Sequence, residues 1–443
     1  MALLGKLSTG LGERTTYDAV AQCSRCGYCE QACPTYLATG REGFSPRGRN
    51  QVVRMLLEGK LASPDTAELL LSTCLLCGAC STTCYAHVRV PDLVLEGRRL
   101  LRKEHVPWLA RALGWLLLEH PRGFEALLRA AYVVKRLGLS RLASGLGLFR
   151  LVGLPGLEIA EEQVKEAPKE LLAQQLRARA DLRSPALARY IYFAPCGPNF
   201  VLPRVGRATV AALQARGKTA FLDDCCCGLL AYNYGDTAQA REFARRMIAR
   251  AEAALALALP EAELVGDCSS CVAHLKSYPQ MFLDDVNWKL RAEKFSARVR
   301  DIVELLPLSS SLSRRSGEGG GEGILTLHDS CRLRHGQGIS REPRAVLALL
   351  PGGYRELPES DSCCGGAGAF AFVHPELSDA VLRRKVSAIA STQARVVAAS
   401  ATSCLLHLAH GLAKYYPECR VVHLSELDPE GTAKGMENGA NGC

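Results

Sequence analysis

The chain lacks long apolar runs. None of the uninterrupted apolar stretches in its 443 residues reaches the roughly 18 residues of a membrane span. No apolar signal segment opens the sequence, although 20 cysteines are present. These absences exclude a membrane-spanning protein and argue against a secreted one held together by disulfides. We therefore expect a cytoplasmic protein with thiols free to bind metal, either soluble or peripheral to the inner face of the cell membrane.

Nucleic-acid-binding motifs are also missing. The net charge is +9, but no such motif accompanies it, and we predict no nucleic-acid partner. Basic charge gathers between residues 98 and 150, where eleven Lys or Arg residues stand against three Glu. The same segment has Trp108, Trp115 and leucines at helical spacing. Such a basic amphipathic region indicates either a surface for a membrane or acidic partner, or a helical connector with a solvated basic face.

Eight of the cysteines form two runs with one spacing, C-x2-C-x2-C-x3-C. This spacing is that of ferredoxin-type [4Fe–4S] sites, in which the fourth cysteine of each run binds the other cluster. Zinc is the main alternative, but a third and fourth cysteine at these spacings favour iron and sulfur. We predict one cluster on Cys23, Cys26, Cys29 and Cys84, and a second on Cys33, Cys74, Cys77 and Cys80.

Three residues beside these runs affect the prediction. We expect the fourth cysteine of each run to open a helix, but Tyr85 stands where a proline usually comes after the fourth cysteine. Arg47 and Arg49 lie between the runs. They either bind the cofactor region, neutralising thiolate charge and raising the reduction potential, or simply cap a helix.

The C-terminal part of the sequence contains an internal repeat. Strand-like runs alternate with helical stretches, and each run ends shortly before a cysteine. Offsets of 135 to 137 residues pair Cys404 with Cys268 and place His407 opposite Cys271. Parallel strands bring their carboxyl ends to one edge of a sheet, so these cysteines are expected to converge. The candidate metal ligands of the repeat are Cys196, Cys226, Cys227, Cys268 and Cys271 in the first copy, and Cys331, Cys363, Cys364 and Cys404 in the second.

The predicted architecture is multidomain, of the α+β and α/β classes. A helical, ferredoxin-like domain with two [4Fe–4S] sites precedes two duplicated α/β domains, which we call the first and second halves. The predicted boundaries are residues 1–100 for the two-cluster domain, 101–185 for a basic helical connector, 186–308 for the first half, 309–323 for a flexible linker, 324–427 for the second half and 428–443 for a disordered tail.

These motifs together resemble a known family. The sequence resembles the iron–sulfur subunit of glycolate oxidase, with two ferredoxin-type runs and two cysteine-rich CCG domains. The local matches are Ser45-Pro-Arg-Gly-Arg49, Cys331-Arg-Leu-Arg-His335, Cys363-Cys-Gly-Gly-Ala-Gly368 and Cys404-Leu-Leu-His407. The layout is also similar to that of the heterodisulfide reductase catalytic subunit and of the anaerobic glycerol-3-phosphate dehydrogenase small subunit.

The resemblance implies an electron-transfer role. In that family an FAD-containing subunit oxidises a 2-hydroxy acid, glycolate or D-lactate, and passes electrons to the iron–sulfur subunit and onward to a quinone or another acceptor. No flavin-binding fingerprint is found in this sequence. The chain is therefore expected to be part of an oxidoreductase complex and not catalytic alone. The alternatives are a heterodisulfide-reductase-type catalytic subunit acting on a disulfide, the iron–sulfur subunit of an anaerobic glycerol-3-phosphate dehydrogenase, and a non-enzymatic scaffold with structural zinc.

The metal of each CCG domain is a separate question. By resemblance, the five cysteines of the first half imply an additional iron–sulfur cluster, with a noncubane form as one option. The second half has four cysteines, which suit an iron–sulfur cluster or zinc, with His407 as an optional fifth ligand. Cys225 is read as an extra residue beside the Cys226–Cys227 pair. Cys419 and Cys443 lie outside the repeat and are predicted not to bind metal.

Overall fold

The computed structural model describes residues 6–9, 12–101, 108–151, 156–224, 226–306, 324–350 and 353–427. The predicted linker 309–323, the predicted tail 428–443 and Cys225 lie outside these described residues. Within them, two short N-terminal strands are followed by a long helical region, and strands alternate with helices from Tyr190 onward. This mixed architecture confirms the predicted fold class in outline, while the domain boundaries stay predictions.

The described residues form nine strands in three sheets. The first two strands pair antiparallel in an N-terminal hairpin that the sequence did not predict. The other seven belong to two parallel sheets. The strands are β1 Lys6–Thr9, β2 Gly12–Thr15, β3 Tyr190–Phe193, β4 Thr219–Leu222, β5 Glu263–Gly266, β6 Val299–Asp301, β7 Leu325–Leu327, β8 Val396–Ala399 and β9 Arg420–His423.

The α-helices fall into three groups along the chain. Helices of the N-terminal region are α1 Thr16–Ala21, α2 Pro34–Thr39, α3 Pro46–Leu57, α4 Pro64–Ser72, α5 Ala79–Thr82 and α6 Val90–Leu101. Helices of the connector are α7 Trp108–Glu119, α8 Pro121–Arg136, α9 Leu139–Gly145, α10 Leu148–Leu151, α11 Gly156–Gln163 and α12 Leu172–Ala178. Helices of the two halves are α13 Cys196–Phe200, α14 Pro203–Arg216, α15 Leu229–Tyr234, α16 Thr237–Leu255, α17 Ser269–Lys276, α18 Val286–Ser296, α19 Ile302–Leu305, α20 Cys331–Gln337, α21 Arg341–Ala348, α22 Phe370–Val373, α23 Pro375–Ser391 and α24 Thr402–Tyr415.

The two parallel sheets share one strand order. The first half has the order β4-β3-β5-β6, and the second has β7-β8-β9. In the second half, a parallel bridge between Leu325 and Tyr354 pairs with β7. It occupies the position that β4 has beside β3 in the first half. Helices connect the strands and cover the sheets, so the strands are short apolar runs with few exposed residues. The repeat seen in the sequence is therefore a repeat of topology.

The two halves pack on each other through a shared core. One apolar cluster contains residues of both sheets and of the helices that come after the cysteines. At the contact, the Ser269 backbone N–H donates to the Ser400 carbonyl over 3.0 Å. The Ser269 and Ser400 hydroxyl oxygens lie 2.8 Å apart. A Cβ added to Gly197 would lie 2.2 Å from Cγ2 of Thr402, so the first half approaches the second too closely for any side chain at that position.

The connector packs on the first half through α8 and on the second half through α11. Tyr132 of α8 donates its hydroxyl to the Phe200 carbonyl over 2.8 Å, and Lys135 pairs with Glu161 of α11 at 2.5 Å. The opposite side of α8 to α10 leaves large apolar side chains exposed, namely Leu127, Val133, Val134, Leu137, Leu139, Leu142, Leu146, Leu148 and Leu151. The connector is therefore packed against the rest of the fold, as expected of a helical connector. It also keeps an exposed apolar face, which a surface for a membrane would need.

Candidate metal centres

The two cysteine runs have the same backbone conformation. Arg25 and Leu76, each just before the second cysteine of its run, have φ values of 58° and 52°. Gly27 and Gly78, each just after that cysteine, have φ values of 85° and 86°. A left-handed conformation is costly for residues other than glycine and persists where the surrounding structure requires it. This turn curls each run so that its cysteines approach one another.

The outer cysteine group consists of Cys23, Cys26, Cys29 and Cys84. Burial, with a smaller effect from the neighbouring thiols of Cys23 and Cys84, raises the pKa of Cys29 to about 12. Cys26 is exposed. The structure therefore brings the fourth cysteine of the second run to the first run, as crossed ligation requires.

The inner cysteine group consists of Cys33, Cys74, Cys77 and Cys80. Burial raises the pKa of Cys80 well above the usual thiol value, and Cys77, Cys74 and Cys33 raise it further. Thiolates gathered in this way repel one another, which favours a bound cation or a cluster that compensates their charge. The donors present therefore fit a [4Fe–4S] cluster, and the assignment of each ligand stays a prediction.

The two fourth cysteines precede different backbone structures. Cys33 immediately precedes α2, whose first residue is Pro34, as predicted. Cys84 leads into a turn, and the next helix begins only at Val90, so the expectation of a helix there is wrong. Tyr85 lies in that turn, exposed, with its ring 5.5 Å from the ring of Tyr28. Without the proline that starts α2, the backbone after Cys84 turns instead of entering a helix.

Arg49 and Arg47 occupy different environments. Arg49 is buried and donates to the carbonyls of Leu70 and Thr73, with a further contact of 3.8 Å from its Nη1 to Cys33 Sγ. Arg47 pairs instead with Glu42 and Glu30, each at 2.8 Å. Arg49 thus places positive charge beside the inner group, whereas Arg47 meets carboxylates.

A second buried arginine beside the inner group was missed from the sequence. Arg98 of α6 donates to the carbonyls of Leu71, Ser72 and Cys74, at 2.8 Å for Cys74. From the sequence alone, Arg98 is only one of the basic residues of the segment 98–150. Its position one helix after the second run is the signal that could have singled it out.

The first half gathers five cysteines at the carboxyl ends of β3, β4 and β5. Cys271 is in sulfur contact with Cys196, Cys227 and Cys268, and these thiols together with burial raise its pKa well above the usual value. The contact with Cys271 lowers the pKa of Cys268 to about 7. Cys226 is in turn in sulfur contact with Cys227. All five predicted cysteines of this half are therefore together, and their soft, crowded thiols fit an iron–sulfur cluster.

The second half gathers four cysteines in the same place. Cys363 is in sulfur contact with Cys331 and Cys364, and Cys364 with Cys404. The Gly365 backbone N–H donates to Cys363 Sγ over 3.5 Å. Lys385 of α23 is buried beside Cys363 and Cys364, and burial lowers its pKa. The sequence did not mark this lysine, which stands inside an ordinary amphipathic helix.

The pairing of Cys404 with Cys268 is wrong. The strand β5 ends at Gly266 and α17 begins at Ser269, while β8 ends at Ala399 and α24 begins at Thr402. Cys271 and Cys404 are each the third residue of their helix, so they correspond. The cysteine missing from the second half is the counterpart of Cys268, a position taken by Ala401. The sequence offsets failed because the stretch between the cysteine pair and the strand that follows it is shorter in the second half than in the first.

His407 is held by hydrogen bonds. Its Nε2 lies 3.1 Å from the Ser378 hydroxyl, and its Nδ1 lies 3.2 Å from Nε2 of Gln163. In the corrected register His407 corresponds to His274, which is likewise buried and packs between two tyrosine rings. Both ring nitrogens of His407 are therefore engaged by protein groups, so the structure gives no support to His407 as a fifth ligand.

The inner group lies directly against the second half. Cys77 and Cys363 belong to one small apolar cluster with Leu75 and Phe370, and Cys331 packs at its edge. The Thr82 hydroxyl lies 3.0 Å from Nδ1 of His335 in α20. The cysteine sites therefore form a series in space, in which the inner group lies between the outer group and the second half.

Comparison with known proteins agrees with this arrangement. Residues 19–88 match the family described as a 4Fe-4S dicluster domain. Residues 190–276 and 325–409 each match the family described as a cysteine-rich domain. Within the part of the chain that the structure describes, we find no helix with both the length and the apolarity to cross a bilayer. These matches define the class of the protein, an iron–sulfur protein with a two-cluster domain and two cysteine-rich domains.

Individual relatives identify the family of the chain within this class. A probable glycolate oxidase iron-sulfur subunit of Bacillus subtilis (strain 168) is 28% identical over 431 residues, covering 94% of each chain. The glycolate oxidase iron-sulfur subunit of Escherichia coli (strain K12) is 28% identical over 400 residues, covering 87% of this chain and 89% of the relative. Lactate utilization protein A of an Exiguobacterium species is 30% identical over 250 residues, covering 54% of this chain and 96% of the relative. The chain belongs to the family of iron–sulfur proteins that contains the glycolate oxidase iron–sulfur subunits.

Proposed function

We propose that the chain is the iron–sulfur electron-transfer subunit of a flavin-dependent 2-hydroxy-acid dehydrogenase complex. An FAD-containing subunit oxidises glycolate or D-lactate, and this chain receives the electrons and delivers them to a quinone or another acceptor. The bound clusters supply one-electron carriers. The residues of the chain hold those carriers, exclude water from the inner ones and set their charge environment.

The observation that carries this proposal is the series of cysteine sites. The inner group and the second half share one apolar cluster, in which Cys77 and Cys363 are buried. The second half then meets the first at Thr402, whose backbone and hydroxyl contact the thiol of Cys268. Electron transfer through a protein requires redox centres that lie close together, whereas isolated structural sites need no such proximity.

The outer group offers a site for electron input from a partner. Cys26 is exposed there, and the aromatic rings of Tyr28 and Tyr85 stand exposed beside it. Exposed tyrosines are enriched at protein–protein contacts because they bury large area at low entropic cost. We infer that the flavin-containing subunit docks over this pair.

The connector offers a surface for the membrane that would hold a quinone. Its exposed leucines and valines on α8 to α10 are accompanied by the exposed Arg129, Arg136, Arg141 and Arg150. Apolar residues set among basic ones are suited to the interface of an anionic lipid bilayer. The variant Arg129→Glu/Arg141→Glu should lose binding to vesicles with anionic phospholipids, while Arg207→Glu on α14 of the first half should not. Unchanged vesicle binding by the double variant would reduce this surface to a connector.

Anaerobic purification of the full chain from its native cells tests the main proposal. We expect a flavin-containing chain to co-purify, and glycolate or D-lactate to reduce the clusters of this complex, seen by loss of visible absorbance. The chain without a flavoprotein should not be reduced by either acid. Reduction of the isolated chain by a hydroxy acid, or a complex without flavin, would contradict the proposal.

A cleft at the first half favours one second candidate, a disulfide reductase. Cys196 is exposed and, with Cys226, lines a cleft closed by Asn199, Phe221 and Asp224. A disulfide could reach a cluster held there. This function requires a new paramagnetic signal when the oxidised protein meets a thiol. If no such signal appears, disulfide reduction is excluded and electron transfer is the one proposed function that remains.

A further inference from the structure

The second half has a histidine aimed at its cysteines. His328 comes directly after β7, and its donor atom and the sulfurs of Cys364 and Cys404 all lie within 4.8 Å of one another. The side chain is 1% exposed. Among the described residues, neither Nδ1 nor Nε2 of His328 has a hydrogen-bond partner. A buried imidazole without partners is costly, so its nitrogens should meet something that the protein atoms do not provide.

The position of His328 in the duplication explains why it stands there. The strands β3 and β7 align Tyr190 with Leu325, and in this register His328 corresponds to Phe193. Phe193 belongs to the same buried apolar cluster as Cys268 in the first half. The second half has Ala401 in place of Cys268 and a histidine in place of the phenylalanine. One donor is thus lost on the helix side of the site and one is gained on the strand side.

The spacing of these donors suits a single ion. In a tetrahedral site with bonds of about 2.0–2.3 Å, neighbouring donor atoms lie about 3–4 Å apart. Three donors within 4.8 Å of one another can therefore share one ion after small shifts. Imidazole combined with thiolates is a common donor set for zinc and also binds iron.

We propose that His328 is a metal ligand of the second half and binds one ion together with Cys364 and Cys404. A sulfur of the adjoining Cys331–Cys363 pair completes the coordination. The two halves then hold different centres, five thiolates in the first and thiolates with one imidazole in the second. The proposal rests on the proposed function only in treating the cysteines of the halves as metal ligands.

Metal analysis of the anaerobically purified full chain tests this ligand. The variant Cys404→Ser first defines which metal, zinc or iron, belongs to the second half. We expect His328→Phe to lose the same metal, because phenylalanine is the residue of the first half and offers no donor. His407→Ala is the matched control, a second buried histidine whose loss should leave the metal in place.

A double variant keeps the test informative if His328→Phe is unstable. His328→Phe/Ala401→Cys recreates the donor pattern of the first half and should regain the metal without a nitrogen ligand. The nitrogen is read by X-ray absorption at the zinc edge, or by nitrogen hyperfine coupling in pulsed EPR with labelled histidine when the metal is iron. Metal and nitrogen signal retained in His328→Phe, or no metal lost in Cys404→Ser, would overturn the proposal. If the native chain showed the metal and its nitrogen signal but transferred no electrons, only the proposed function would be contradicted.

Discussion

The first and second halves share one topology and differ in their buried polar residues. Both place cysteines at the carboxyl edge of a parallel sheet, in the same strand order. In the first half, Phe193 and Met247 belong to the apolar cluster that contains Cys227, Cys268 and Cys271. The second half has His328 and Lys385 at the corresponding positions, and both are buried beside its thiols. Duplication preserved the scaffold, while exchange of a few buried residues changed the centre that each copy can hold.

The halves also differ in the charge that is buried beside their thiols. Lys385 and Met247 are each the eleventh residue of a helix, α23 and α16 respectively. A buried lysine beside thiolates stabilises their negative charge, whereas methionine leaves that charge uncompensated. The second half and the inner group, with Arg49 and Arg98 nearby, therefore form the more cationic end of the metal-site series.

The largest effect is expected from removing the central thiol of the first half. Cys271→Ser should abolish metal binding there, because Cys271 contacts Cys196, Cys227 and Cys268. Since metal binding contributes directly to folding, the variant should also unfold at lower temperature. Iron content and thermal unfolding measure this change. Cys419→Ser is the matched control, a buried cysteine outside both sites. If the two variants contained equal amounts of iron, the first half would hold no iron centre.

An intermediate effect is expected at the contact between the halves. Gly197→Ala should destabilise the chain by about 1–3 kcal/mol, because the new methyl group overlaps Thr402. Gly145→Ala at the end of α9 is the control, since a Cβ there meets nothing within 4 Å. Denaturant unfolding of the metal-loaded proteins measures the difference. If both variants were equally stable, the halves would not be in close contact at this point.

A further test exchanges the buried cation of the second half. Lys385→Met gives the second half the residue of the first and should weaken its metal binding by about tenfold, the lower end of the range seen for outer partners of metal sites. Competition with a chelator measures the affinity. Met247→Leu is a conservative control at the corresponding position of the first half. Unaltered affinity in Lys385→Met would mean that the lysine only holds the carbonyls of Glu359 and Ser360.

The smallest effect concerns how each half is attached to the N-terminal region. His335 bridges the Thr82 hydroxyl and the Asp361 carbonyl, both at 3.0 Å, and His335→Ala should cost about 1–2 kcal/mol. Lys289 of α18 in the first half forms an exposed ion pair with Glu13 at 2.8 Å, and Lys289→Ala should cost less stability than His335→Ala. Unfolding free energies compare the two. A larger loss for Lys289→Ala would reverse the proposed order of attachment.

Much of this arrangement could be predicted from the sequence. The ferredoxin-type spacing and the strand-then-cysteine pattern are local, so the parallel strands and the grouping of the cysteines could be inferred from neighbouring residues. The register of Cys404 could not be predicted, because counting offsets assumes equal loop lengths between copies. His328, Arg98 and Lys385 were missed because their importance depends on burial beside thiols that lie far away in sequence.

The central claim is that both halves carry metal centres in addition to the two clusters of the N-terminal region. Counting iron, acid-labile sulfide and zinc in the anaerobically purified full chain tests it most directly. Two [4Fe–4S] clusters account for about eight irons. We predict more than about eight irons per chain, with the excess lost in Cys271→Ser, and a separate metal lost in Cys404→Ser. About eight irons or fewer, unchanged in both variants, would contradict the account.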